Sequence, residues 1–362
     1  MTEDLPFWVA LSHIRGIGPV RFTKLLRTFG TAASAWCAPL DDLRETLGER
    51  LAEEIAVARK KIVPEKLYES VLKENIRVVP FSDPLYPSLL QNIEYSPFLL
   101  YVEGDFDFQA YDRYLAIVGT RHPTPYGVKA ARFFAQGLAR EGWVIVSGLA
   151  VGIDGEAQKI VAEEGYPTVA VLGSGLRCIY PKVHISLARE IVERGGALVS
   201  EYPPFTEPRP EHFPLRNRII AGLSLGVLIV EAPRKSGALI TADFALEAGR
   251  EVMAVPGPIF SPQSEGTNAL IAQGAKPVQS IADVLEVFGY FSSQNQKILQ
   301  ERRVALSSKE EKLFSLIDHA GVFKEELLAQ TGWNEGELFE VLLALELKGL
   351  VEELPGGRVG RK

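Results

Sequence analysis

With 362 residues, 46% of them hydrophobic and 23% charged, the chain has the make-up of a folded protein of two or three units, which excludes disordered, collagen-like and membrane classes. Only Cys37 and Cys178 are present, far apart, so a disulfide framework or cysteine zinc site is excluded; with no apolar run of the roughly 18 residues a membrane helix needs and no signal-peptide pattern at the start, a cytoplasmic setting is expected. The net charge of -7 argues against a generally nucleic-acid-coated surface, so any phosphate site must be a local concentration of the 39 Lys and Arg residues.

Residues 1–70 read as a small helical domain, with Val9, Leu11 and Ile14, then Phe22, Leu25, Leu26 and Phe29, then Leu47, Leu51 and Ile55 at helical spacing. Within it, Ile14-Arg15-Gly16-Ile17-Gly18-Pro19 puts two glycines between helices and Pro19 at a helix start, as in a helix-hairpin-helix or SAM-like unit that presents backbone amides to a phosphate. A plain helix connection has the same pattern.

Residues 75–290 alternate. Short apolar runs at Ile76 to Pro80, Phe98 to Val102, Leu115 to Val118, Trp143 to Val146, Thr168 to Leu172, Ala197 to Val199, Val227 to Val230 and Val252 to Val255 read as buried parallel strands. Amphipathic segments 127–140, 154–164, 182–194, 216–224 and 238–249 lie between the later ones. The expectation is an α/β, Rossmann-like doubly wound sheet whose ligand lies beyond the carboxyl ends of the strands. Residues 291–306 read as a linker. Residues 307–362 read as three helices and a hairpin, a winged helix, whose third helix is too acidic (Glu335, Glu337, Glu340, Glu346) to suit a DNA groove.

The loops after the strands are the distinctive part. Gly119-Thr120-Arg121 offers close backbone approach, a hydroxyl and a guanidinium fork for phosphate oxygens. Ser147-Gly148 leads to Gly152-Ile153-Asp154, where Asp154 reads as a helix cap. Gly173-Ser174-Gly175 follows, with Tyr180-Pro181 beyond it. Next come Phe213-Pro214-Leu215-Arg216-Asn217-Arg218, then Glu231-Ala232-Pro233-Arg234-Lys235-Ser236-Gly237. Arg216, Arg218, Arg234 and Lys235 face only Glu231 among acids, with Arg218 the first candidate for a structural salt bridge. Of Phe205, Phe213 and Phe244, Phe213 is the favoured stacking platform for a base. His122 and His184 read as surface residues. No dinucleotide, nucleoside-triphosphate or metal fingerprint occurs, so no cofactor is expected.

Gly119-Thr120-Arg121, Ser147-Gly148 with Gly152-Ile153-Asp154, Phe213-Pro214 with Arg216-Asn217-Arg218, and Lys235-Ser236-Gly237 with Thr241-Ala242 occur in one order that resembles the DprA/Smf family of three-domain type. The likeness spans the central domain, and the flanking domains are similar to those of three-domain members. It implies an extended Rossmann fold and a homodimer that binds and protects single-stranded DNA in a basic pocket. It also implies loading of RecA onto that strand in natural transformation and homologous recombination, without catalysis. By that resemblance Arg121 and Lys235 are the foremost phosphate contacts, and Gly119, Thr120, Ser236 and Gly237 shape the pocket; Gly148, Phe213, Arg216, Asn217, Arg218 and Arg234 complete the expected DNA-binding set.

Two rivals remain at this stage. Phosphoribohydrolases of the same fold class carry a PGGxGTxxE loop, whereas Ser236-Gly237-Ala238-Leu239-Ile240-Thr241-Ala242-Asp243 lacks the second glycine and the glutamate. Alternatively, the basic loops serve only an acidic protein partner.

Overall fold

A computed structural model describes residues 4–290, 307–317, 321–347, 351–354 and 358–361; the linker expected at 291–306 lies outside the described residues. Unit Met1–Tyr290 and unit Phe291–Lys362 are each compact.

The first unit is built on a nine-stranded sheet: β1 (Ile76–Pro80), β2 (Leu99–Glu103), β3 (Tyr114–Val118), β4 (Val144–Ser147), β5 (Thr168–Val171), β6 (Ala197–Ser200), β7 (Gly226–Ile229), β8 (Glu251–Ala254) and β9 (Lys276–Pro277). Their spatial order is β1-β2-β6-β5-β4-β3-β7-β8-β9. The central strands are buried on both faces, which is why they read as continuous apolar runs. Along β3, Leu115 and Ile117 enter one core layer with Phe134, Leu138 and Ile153, while Tyr114, Ala116 and Val118 enter the opposite one with Ile219 and Ile220. Helices Pro125–Arg140, Ile153–Glu163, Ile185–Glu193, His212–Gly222 and Gly237–Glu247 provide the crossovers.

From β3 through β9 the pairing is parallel, as in a doubly wound sheet, and the chain winds outward from β3 to β6 on one side and from β7 to β9 on the other. The switch point lies between β3 and β7. The expectation of parallel strands fails at one edge: β1 pairs antiparallel to β2, and β2 antiparallel to β6. Between β1 and β2 there is only the four-residue helix Ser88–Gln91, too short for the crossover that a parallel neighbour requires.

The helices of residues 1–70 share the sheet's compact unit. They pack on its antiparallel edge through Phe22 and Phe98 rings stacked at 4.0 Å and a 2.6 Å hydrogen bond between the Ser12 and Tyr101 hydroxyls. Gly16 takes φ +91°, open to glycine, and its carbonyl accepts Arg21 Nη1 at 2.7 Å; Pro19 opens helix Pro19–Phe29.

In the second unit, helices Ser308–Leu316, Lys324–Thr331 and Glu335–Leu347 accompany strands Val322–Phe323, Val351–Leu354 and Arg358–Arg361, the last in the middle of a three-stranded sheet. Leu313, Leu327, Leu345 and Val359 form its core, and Glu335, Glu340 and Glu346 face solvent. No described helix is long and apolar enough to cross a membrane.

Candidate nucleic-acid interface

The loops that diverge from the switch point begin with Gly119 after β3 and Val230 after β7. They are tied together at once: the Thr120 amide donates to the Glu231 carbonyl at 2.7 Å. A side chain at Gly119 would meet Ile153 and that same carbonyl, and one at Gly152 (φ +86°) would lie 2.3 Å from the Thr120 carbonyl oxygen. These glycines therefore let loop pack on loop, whereas the sequence suggested an opening for phosphate. Thr120 is buried as well, its Oγ1 accepting the His122 amide at 3.2 Å, so its hydroxyl holds the turn and does not line the crevice.

Arg121 emerges from that turn into solvent, its guanidinium 5.7 Å above the Phe213 ring. Phe213 is half-buried in the first turn of helix His212–Gly222, where Pro214 is tolerated because no intrahelical amide is needed there. Its ring covers Gly173, where a Cβ would come within 2.8 Å of it, and leans on the exposed Tyr180 at 5.5 Å. Arg121, Phe213 and Tyr180 thus make a cation and two rings in a row. Of the other phenylalanines considered, Phe244 packs on the core and Phe205 is exposed.

Arg216 departs from the expected role. Only 4% exposed, it donates Nη1 to the Gly148 carbonyl at 2.8 Å and to the Val171 carbonyl. The Gly148 amide donates to Asp154 Oδ2 at 3.1 Å, and Gly152, not Asp154, stands at the cap position of helix Ile153–Glu163. Burial pushes the Asp154 carboxyl above its ordinary range, against the opposing pull of Arg216 and the Gly148 amide. Burial likewise pushes the Arg216 guanidinium down to about 10, with Asp154 opposing and Arg121 assisting. Gly148 and Arg216 are accordingly an internal clamp, out of reach of a phosphate in the crevice. Arg218 is also committed, in an ion pair with Glu201.

Glu231, the acid expected to face the arginines, turns inward and accepts the Thr124 amide at 2.9 Å and the Thr124 hydroxyl at 2.6 Å. Its withdrawal leaves Arg234 and Lys235 exposed, and neither these nor Arg121 makes an ion pair with any described residue. Next to them Ser236 caps helix Gly237–Glu247, its Oγ accepting the Ala238 amide at 3.2 Å, while Gly237 has open space where a Cβ would stand and accepts Asn217 Nδ2 at 3.2 Å. The β7 loop therefore presents two cations beside the positive end of an 11-residue helix, and the β3 loop hydrogen-bonded to it presents Arg121. His122 is exposed as expected. His184 is instead half-buried, its Nδ1 2.8 Å from the Leu149 carbonyl and its ring against Gly155.

Sequence reasoning missed the Glu231–Thr124 lock and the Asp154–Gly148–Arg216 clamp, because both join segments far apart in the chain. The alanine-lined helix Pro125–Arg140 and Gly127 in its first turn, where a Cβ would strike the Glu231 carboxylate, were the available hints of that lock.

Residues 77–289 match the family described as DNA recombination-mediator protein A, and residues 300–357 match the DprA winged helix domain. The chain belongs to the DprA/Smf family. It is 41% identical to Protein Smf of Escherichia coli over 82% of this chain and 81% of that one, and 44% identical to DNA processing protein DprA of Bacillus subtilis over 59% and 72%. Among solved structures, DNA processing protein A of Streptococcus pneumoniae superposes with a TM-score of 0.68 at 35% identity, covering 78% of this chain and 97% of that one. That of Helicobacter pylori, described for its single-stranded DNA binding mode, superposes with a TM-score of 0.53 at 30% identity, covering 59% and 95%. The α/β sheet and the winged helix expected of a DprA/Smf member are both present.

Proposed function

We propose that this protein binds single-stranded DNA at the β3–β7 switch point, protects it, and hands it to a RecA-type recombinase in DNA uptake and recombination, acting as a cytoplasmic homodimer. The observation that carries this reading is that exposed Arg121, Arg234 and Lys235, none of them in an ion pair with a described residue, stand on the two hydrogen-bonded loops that leave the β3–β7 switch point, Arg234 and Lys235 next to the start of helix Gly237–Glu247. In an acidic chain, cations left without carboxylates at a ligand crevice suit a polyanion. Ser236, Gly237 and Asn217 complete the phosphate-facing edge, and Phe213 with Tyr180 offers rings to unstacked bases. Gly119, Thr120, Gly148, Arg216 and Arg218 act behind this surface by fixing its loops. The Helicobacter pylori relative, whose described property is single-stranded DNA binding, supports the same reading.

Binding without chemistry fits the carboxylates. Asp154 and Glu231, the acids that follow β4 and β7, are both buried and engaged, so neither is presented as a general acid or base for a phosphoribohydrolase reaction. The test is fluorescence anisotropy of a labelled poly-dT strand and a matching duplex, with wild type and the Arg121→Ala/Lys235→Ala double variant. Preference of wild type for the single strand and its loss in the folded variant are expected; equal binding by both proteins sinks the assignment.

A further inference from the structure

Phe260 is 93% exposed, the most exposed large apolar side chain among the described residues, and Ile259 beside it is 79% exposed. Solvation of two adjacent large apolar side chains costs free energy, so their presentation calls for a ligand. Their loop is held, not loose. Asn268 bonds both the amide and the carbonyl of Gly257, at 3.2 and 3.1 Å, and the Pro256 carbonyl accepts the Tyr126 hydroxyl at 2.8 Å. Pro258 and Pro262 flank the exposed pair, and the Ser261 amide closes a turn onto the Pro258 carbonyl at 3.0 Å. The loop leaves the end of β8, parallel neighbour of β7, and is bonded to the basic loop: the Ala232 amide donates to the Gln263 carbonyl and the Gly266 amide to the Ala232 carbonyl, both at 2.8 Å.

We infer that Phe260 is a stacking platform for a base of the strand whose phosphates engage Arg234 and Lys235, extending the binding track from the β3 loop across β7 to β8. The inference rests on the proposed single-strand function and deepens it. Residues 256–268 contain no Lys or Arg and one acid, Glu265, so this loop offers a ring face and no cation for phosphate. A polyanion with free π-faces matches cations on the β7 loop and an exposed ring on the β8 loop bonded to it, and single strands present such faces where duplexes do not.

Binding of poly-dT and of an equally long abasic deoxyribose-phosphate strand is to be measured for wild type, Phe260→Ala, Phe260→Trp and Lys235→Ala, with sedimentation of each. Phe260→Ala is expected to weaken poly-dT binding about five- to thirtyfold while leaving the abasic strand unaffected. Phe260→Trp should keep the affinity and show quenching of the new indole on poly-dT, whereas Lys235→Ala weakens both strands. Unchanged poly-dT binding by Phe260→Ala, with Lys235→Ala defective, overturns the platform alone. A loss that tracks dissociation of a dimer overturns it in favour of a second copy covering the ring. Wild type that binds neither strand overturns the proposed function and the platform with it.

Discussion

Arg216 and Asp154 hold Gly148 between them, the guanidinium on its carbonyl at 2.8 Å and the carboxylate on its amide at 3.1 Å. A Cβ at Gly148 would fall 2.5 Å from Arg216 Nη2 and 2.7 Å from Asp154 Oδ2, so glycine is required there by the clamp itself. Arg216→Ala leaves two buried carbonyls without their donor and removes the positive charge that opposes the burial of Asp154, and a loss of about 3 kcal/mol is expected. Urea unfolding followed by tryptophan fluorescence measures it. An unchanged midpoint together with lost DNA binding would return Arg216 to the list of direct contacts.

Arg121, Arg234 and Lys235 differ from Arg216 in being exposed, and their loss should act on binding and not on folding. Each removed phosphate contact is expected to reduce the slope of log affinity against log salt by about 0.7 for a single strand. Anisotropy titrations of Arg121→Ala and Lys235→Ala across a salt series test this. A variant that weakens binding at constant slope would show that its cation acts on protein structure and not on phosphate.

Phe213 supports Arg121 with its ring face and covers Gly173 with its edge. Phe213→Leu keeps an apolar side chain over Gly173 but removes the π-face, so single-strand affinity should fall by roughly 1 kcal/mol with the unfolding midpoint little changed. Affinity equal to wild type would show that the ring is core packing only.

Eight strands of the sheet were legible because they are short, apolar and largely buried, and because crossover helices follow the strands from β3 onward; the ninth, Lys276–Pro277, is exposed and carries no apolar run. The antiparallel edge was not, since strand direction is set by the connection, and the residues between Pro80 and Leu99 contain no helix long enough to return the chain. Within the crevice, Arg121, Arg234 and Lys235 were legible as cations near glycine turns. Arg216 looked the same in sequence, and Arg218 was set apart only as the first candidate for a structural salt bridge, which its pair with Glu201 bears out. Their separation into internal and exposed groups depends on Asp154, Gly148 and Glu201, partners 17 to 68 positions away that no local pattern joins to them. The same holds for Glu231, which local sequence sets among cations and tertiary structure turns onto Thr124.

His13 gives the protein a pH dependence separate from DNA binding. It is half-buried beside the hairpin at Gly16, its Nδ1 2.8 Å from the Val9 carbonyl, and burial lowers its pKa below the ordinary 6.5 despite that hydrogen bond. Between 6.5 and the lower folded value, the unfolded chain takes up a proton that the folded chain refuses, so stability rises with pH across that window. The contribution is present above pH 6.5 and is lost as pH falls through the folded value. His212, lowered by burial in the same direction, adds to the trend. Urea midpoints measured from pH 7.5 to 5 should therefore decline for wild type and decline less for His13→Gln. Parallel curves for the two proteins would show that the His13 ring titrates freely and that the acid sensitivity arises elsewhere.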